Sequence, residues 1–271
     1  RVRDLTSGLH VIAIDGGRNG AAVMLDANTL EVLAMVSKPD YDLNDTTPFI
    51  SNKTYAKMKE NSGLQNRAIQ GVYPPGSPFK LLTTTAALKA NIITADTEHF
   101  CPGYFRFSSG AVQRCWKQSG HQEEILWEAV RDSCNVYFYL TGLDTGVDII
   151  STEATYFGLA NRTGIDLPHE TRSMLIPTKQ WKRKRIGQGW FAGDDTNLAI
   201  GQGFTRVTPL QMAVFAASIG RNEIVTKPSI LRLSPQQAAQ RPPPKPTGLT
   251  PEQHQILLNG MIASAQMGSS K

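Results

Sequence analysis

The chain contains no run of apolar residues long enough to cross a bilayer, and it does not open on a signal peptide but on the polar Arg1-Val-Arg-Asp. Taken alone, these absences predict a soluble protein. No internal repeat is visible, and no nucleic-acid-binding module accompanies the net charge of +5. The one basic run that stands out, Lys179 to Arg185 (KQWKRKR), is short, so a solvated helix face is the expectation and nucleic acid is not. Cysteine is scarce: three residues, which as thiols in an oxidising compartment would make one disulfide and leave one spare. Neither charge (19%) nor hydrophobic content (40%) departs from a folded globular protein, and 271 residues suffice for one sizeable core, so a single domain is expected.

The stretch Gly71 to Lys80 (GVYPPGSPFK) reads as the centre of the chain. Pro74 and Pro75 fix their own φ angles, and Gly76 permits a conformation that other residues avoid. Ser77-Pro78 has the form of a helix N-cap followed by proline at the first helical position. Leu81, Leu82, Thr85, Ala86, Leu88 and Lys89 continue with helical spacing. Ser77 and Lys80, three apart at this helix start, lie on neighbouring sides of one turn, where their side chains can meet. A serine is a nucleophile only if a base removes its proton. A lysine can be that base only if desolvation and nearby positive potential, such as a helix N-terminus, bring its pKa toward neutrality. The plain alternative for any isolated SxxK is a capping serine and a solvated lysine.

Around this centre, Ala21 to Asp26 and Leu30 to Ser37 are β-rich runs joined by a turn, which predicts a hairpin. Both are apolar on both faces, which predicts a sheet covered by helices on either side. Residues 1–19 hold Leu5, Leu9, Val11, Ile12 and Ile14, but Gly8, Gly16 and Gly17 leave their structure undecided. Residues 38–66 read as a surface excursion. A helix is expected over Glu123 to Arg131 with Leu126, Ala129 and Val130 inward, followed by Ser133-Cys134-Asn135 at a helix junction and another apolar run. Thr208-Pro-Leu-Gln211 and Thr250-Pro-Glu-Gln253 are capping boxes that start two later helices, and the proline-rich Ser234 to Gly248 between them reads as an exposed, partly extended connection.

SxxK followed by an S-x-N element and KTG is the motif set of penicillin-binding proteins and class A β-lactamases. Ser77-Pro-Phe-Lys80 and Ser133-Cys134-Asn135 supply the first two. With the longer stretches Gly20 to Asn44, Asn66 to Lys80, Thr163 to Pro168 (TGIDLP), Leu198 to Gly203 (LAIGQG) and Thr208 to Met212, the chain resembles the transpeptidase domain of the penicillin-binding protein 2 family, the cell-elongation enzymes.

The resemblance implies an α/β fold (an α+β sandwich) of the serine β-lactamase/transpeptidase type, with an antiparallel sheet flanked by helices. It implies a peptidoglycan D,D-transpeptidase in which Ser77 attacks a D-alanyl-D-alanine stem peptide and Lys80 is its general base. Ser133 would relay a proton, Asn135 would bind the substrate amide, and a pair of backbone N–H groups, one of them from Ser77, would form an oxyanion hole. β-Lactam antibiotics would trap Ser77. It further implies a parent molecule anchored in the bacterial inner membrane and working on its periplasmic face, with a glycosyltransferase and membrane proteins of the elongation complex as partners. The third motif departs from the pattern. The chain ends Met267-Gly-Ser-Ser-Lys271 without KTG, and Lys245-Pro-Thr-Gly248 is no equivalent because proline interrupts it. The expectation is therefore a single transpeptidase domain, residues 1–271, lacking its C-terminal strands. A β-lactamase or β-lactam sensor of the same fold and a non-catalytic scaffold are the competing readings.

Cys101, Cys115, His121 and Cys134 form C-x13-C-x5-H-x12-C. Three thiols and an imidazole are a donor set that suits structural zinc, while one disulfide with a spare thiol, or buried free thiols, fit the spacing as well. The resemblance favours zinc, because some members of the group carry such a site with the middle residue of SxN as a ligand. Gln122 stands where relatives usually have glycine.

Overall fold

A computed structural model describes residues 19–225 and 227–268. In chain order its strands are β1 (Gly20–Leu25), β2 (Val32–Lys38), β3 (His99–Cys101), β4 (Tyr104–Arg106), β5 (Val112–Arg114), β6 (Gln122–Glu124), β7 (Glu223–Ile224) and β8 (Lys245–Pro246). Its helices are α1 (Asn52–Glu60), α2 (Arg67–Gln70), α3 (Lys80–Lys89), α4 (Leu126–Asp132), α5 (Asn135–Tyr156), α6 (Lys179–Ile186), α7 (Ala192–Ala199), α8 (Pro209–Arg221), α9 (Pro235–Ala239) and α10 (Pro251–Met267). The undecided segment 1–18 lies outside the described residues.

The chain divides into two compact units. The first draws on Arg1–Tyr73, Gly158–Met174 and Arg206–Lys245. Its hairpin pairs Gly20 with Lys38 through Leu25 with Val32, antiparallel as expected. The turn closes because the Asp26 carboxylate accepts the N–H groups of Asn28 and Thr29, both at 2.8 Å. Burial alternates along β1: Ala21, Val23 and Leu25 point into a core with Ile69 of α2 and with Leu210, Ala213 and Ala217 of α8. Two-sided burial is not what the hairpin shows, since Leu33 and Val36 of β2 are exposed. Helix α8 begins at the anticipated capping box, with Gln211 N–H donating to the Thr208 hydroxyl and Thr208 N–H to Gln211 Oε1. The Gln211 amide then reaches the carbonyls of Leu159 and Asn161. In the TGIDLP stretch the Asp166 carboxylate accepts from Ser229 Oγ and Ile230 N–H. The excursion after β2 carries α1, capped by Ser51 and burying only Met58. The proline-rich connection is mostly exposed, as expected, and also contains the short helix α9, started by a Ser234–Gln237 capping box.

The second unit draws on Pro74–Phe157, Leu175–Thr205 and Pro246–Lys271. Helix α5 is its axis, packed against α3 and α7, with Tyr137, Phe138 and Ile150 fully buried. Burial of each such side chain contributes about 1.5–3 kcal/mol. The helix breaks at Gly146 and restarts with Val147 N–H capped by the Asp195 carboxylate. A Cβ on Gly142 would stand 2.3 Å from that of Ala199, so glycine is what lets α5 and α7 approach. Lys89 and Glu153 close the α3–α5 contact with two bonds of 2.8 Å. Helix α10 packs on α4 and starts at the Thr250–Gln253 box. Two small antiparallel pairs, β3 with β6 and β4 with β5, fill residues 99–124. Residues 123 and 124 therefore belong to a strand, and the helix expected from Glu123 starts at Leu126. Leu126 and Ala129 are buried as expected, with Val130 half-buried. The basic run forms α6, but its Lys182 is buried, paired with Asp194 and stacked on Phe191, so only the rest of the run is a solvated face.

Candidate active site

The loop before α3 is fixed from two sides. Gly76 sits at φ 64 and ψ −151, a region reached essentially by glycine alone. Its N–H donates to the Gly201 carbonyl at 2.9 Å. Gly201, at φ 67, touches it so closely that a Cβ there would fall 2.4 Å from the Gly76 oxygen. The LAIGQG stretch is thus a buttress for the loop. Ser77 does not cap the helix, contrary to the Ser-Pro pattern. Gly76 takes the cap position, Ser77–Phe79 form a 3-10 turn, and α3 follows from Lys80. A capping serine turns its hydroxyl back on the helix; this one stays exposed and free for other partners.

Lys80 is 3% exposed, with its ammonium beside the Phe138 ring. It donates to Asn135 Oδ1 at 2.7 Å, to the Ser133 carbonyl at 2.7 Å and to Ser133 Oγ at 2.9 Å. Ser133 Oγ in turn donates to Ser77 Oγ at 3.0 Å. Lys80 therefore reaches Ser77 through Ser133, where the sequence suggested direct contact. Burial pushes the Lys80 pKa down to about 8, against the smaller opposing pull of Cys134, Cys115 and Glu124.

Ser133-Cys134-Asn135 occupies a helix junction as expected. Ser133 ends α4 in the left-handed conformation (φ 53, ψ 45), which costs a residue with a Cβ about 1–2 kcal/mol. Cys134 is the N-cap of α5, its sulfur accepting Tyr137 N–H at 3.4 Å, and Asn135 N–H donates to Cys115 Sγ at 3.4 Å.

The fold brings Cys101, Cys115, His121 and Cys134 together, their donor atoms all within 4.8 Å of one another. All three cysteines are free thiols and buried. His121 Nδ1 lies 3.6 Å from both Cys101 Sγ and Cys115 Sγ. A tetrahedral zinc with ordinary Zn–S and Zn–N bonds separates sulfur from nitrogen by about 3.5 Å, so these spacings fit that metal. Amide N–H groups at the start of α5 already point at two of the sulfurs, which suits thiolates. A bond from the Cys134 thiol holds the Cys115 thiol at about 4, while Cys134 itself is pushed up by that pairing. Burial lowers the His121 pKa, which favours the neutral imidazole that a metal ligand needs. Gln122 adopts φ 67, a conformation natural to glycine.

Two neighbours were not singled out in the sequence. Glu124 on β6 is 3% exposed behind the cluster, and burial pushes its carboxyl up to about 7. The sequence places it in the first turn of the helix expected over Glu123 to Arg131. Trp116 donates its indole N–H to the carbonyls of Asp132 at 3.0 Å and Ser133 at 3.2 Å. Its place directly after Cys115 was the available signal.

The penicillin binding protein transpeptidase domain family model matches residues 20–271. The peptidoglycan D,D-transpeptidase MrdA of Escherichia coli K12 is 36% identical over 242 residues, covering 88% of this chain and 38% of that protein. The chain thus spans under two fifths of the length of that curated relative. Among solved structures, Pseudomonas aeruginosa PBP2 in complex with WCK 5153 superposes with a TM-score of 0.81 at 32% identity, over 90% of this chain and 57% of that one. Helicobacter pylori PBP2 in its complex with MreC gives 0.79 at 32% identity, over 91% and 45%. The helices and antiparallel strands described above are those of the penicillin-binding transpeptidase fold, and with the match over residues 20–271 the chain belongs to the penicillin-binding protein transpeptidase domain family.

Proposed function

We propose that the chain is a single transpeptidase domain that cross-links peptidoglycan stem peptides through an acyl-enzyme on Ser77. The observation that carries this reading is the unbroken hydrogen-bond line from Ser77 Oγ through Ser133 Oγ to Lys80 Nζ. In the ammonium state all three protons of Lys80 are engaged, and Ser133 donates toward Ser77. Loss of one proton from Lys80 reverses the line. The amine keeps its bonds to the Ser133 carbonyl and Asn135, its lone pair accepts the Ser133 hydroxyl proton, and Ser133 Oγ accepts the proton of Ser77. As Ser77 Oγ bonds to the carbonyl carbon of the penultimate D-alanine, its proton passes to Ser133 and that of Ser133 to Lys80. The C–N bond to the last D-alanine then breaks, and the protons return along the line to the departing amine. The Ser77 amide opens its turn, where N–H groups have no partner within the helix, and serves one half of the oxyanion hole. The acyl group passes to an amine of a neighbouring strand. β-Lactams are recognised as mimics of the donor peptide.

The Cys3His cluster holds a structural zinc through Cys101, Cys115, His121 and Cys134. When bound, the metal supplies rigidity rather than reaction chemistry. Cys134 lies between Ser133 and Asn135 and keeps both in register. No helix among the described residues is long and apolar enough to cross a membrane. We place the domain on the periplasmic face of the inner membrane, with elongation-complex partners, from its likeness to MrdA and to the PBP2 solved with MreC.

The test is intact mass before and after incubation with a penicillin. A gain of one penicillin in the wild type that Ser77→Ala abolishes supports the reading; rapid loss of the adduct points to a β-lactamase, and no adduct to a non-catalytic scaffold.

A further inference from the structure

Trp116 is oddly placed for its type. The residue is 57% exposed, so burial explains little of its presence, yet its indole N–H is turned into the protein. That N–H is shared between the last two carbonyls of the α4 end, Asp132 at 3.0 Å and Ser133 at 3.2 Å. The Ser133 carbonyl is the oxygen that also receives Lys80 at 2.7 Å, so one acceptor is held by a donor from the buried side and another from the solvent side. The ring packs edge-on against His121, centroids 5.3 Å apart at 64°. The turn needs such support: helix-end carbonyls lack donors within the helix, and Ser133 is in a left-handed conformation that only its surroundings can maintain.

We infer that Trp116 is a positioning residue for acyl transfer: its indole N–H fixes the Ser133 backbone so that Ser133 Oγ stays on the line between Lys80 and Ser77. The inference rests on the proposed acylation of Ser77 and goes beyond it by assigning a role to a residue outside the SxxK and SxN motifs.

The test compares intact wild-type protein with Trp116→Phe, which keeps a ring against His121 and has no N–H. The first measurement needs no activity. The Trp116 indole N–H, identified by NMR through its disappearance in the variant, should exchange with solvent at least about tenfold more slowly than a free indole. Exchange at the free rate overturns the inference. The second measurement is pre-steady-state acylation by a fluorescent penicillin. Trp116→Phe should lower the first-order acylation constant about fivefold, the factor one hydrogen bond is worth, with the dissociation constant of the initial complex and the Tm unchanged. An unchanged acylation constant, or a loss confined to initial binding, overturns it. A wild type that takes up no penicillin refutes the acylation reading itself, and the exchange rate then still decides whether Trp116 holds the turn.

Discussion

Raising the pH from 6 to 9 should accelerate the acylation of Ser77 by roughly two orders of magnitude, with the rise ending near the pKa of Lys80. The lysine is 3% exposed, and burial brings its pKa from 10.5 to about 8. With that value about 1% of Lys80 is neutral at pH 6, about 10% at pH 7 and about 90% at pH 9. An unperturbed lysine would be neutral in only about 0.03% of molecules at pH 7, so burial raises the population of competent base several hundredfold. Stopped-flow acylation by a fluorescent penicillin gives the profile directly. A flat profile between pH 6 and 8, or one still climbing tenfold per unit through pH 10, would refute the assignment of a buried lysine as the base. The same shift fixes a sign for stability. Between about 8 and 10.5 the unfolded chain binds the proton that folded Lys80 has lost, so the fold gains stability as pH rises through that window. The shift amounts to about 3 kcal/mol held against the fold at neutral pH. Urea unfolding at pH 7.5 and 9.5 should show this gain in the wild type and lose it in Lys80→Met.

Ser133→Ala removes the hydroxyl that bridges Lys80 to Ser77 and should slow acylation by roughly 10²- to 10³-fold in the same stopped-flow assay, with Tm shifted by less than about 2 °C. Gly201→Ala would drive a methyl into the Gly76 carbonyl at a positive φ, so it should destabilise the protein by more than about 2 kcal/mol in urea and reduce penicillin uptake. Gln122→Gly relieves a left-handed glutamine and should raise Tm by about 2–4 °C by calorimetry. Zinc content should be one ion per chain and fall to none in His121→Ala; stripping it with a chelator should lower Tm by about 10 °C, whereas a metal-free protein of unchanged Tm would remove the metal from the account.

What the sequence disclosed follows from how local each cause is. Thr208 and Thr250 announce their helices because a capping box involves four consecutive residues, and Asp26 closes its hairpin for the same reason. Ser234-Pro-Gln-Gln237 carried an equally local signal, obscured by the prolines after it. Ser77 misled because a glycine beside it could take the cap, which depends on Gly201 being pressed against Gly76 from over a hundred residues away. Lys182 looked solvated because Asp194 and Phe191 reach it only through the tertiary fold. The candidate site residues could be singled out from motif spacing and family likeness. That Ser133 stands between Lys80 and Ser77 could not, because it depends on the left-handed end of α4.

The burial of Lys80 has a consequence for the fate of the acyl group. An amine with almost no surface of its own, bonded to Ser133 and Asn135, is linked to the exposed Ser77 by way of Ser133. Under the proposed mechanism the proton taken from Ser77 is kept in custody rather than dissipated, and is handed back to whatever nitrogen leaves. The site then stands with a neutral serine–lysine pair ready to deprotonate the next amine that arrives. A water molecule entering the same place meets the same base but offers a weaker nucleophile than an amine. Partition toward peptide-bond exchange over hydrolysis would thus be written into the depth at which one lysine is sunk.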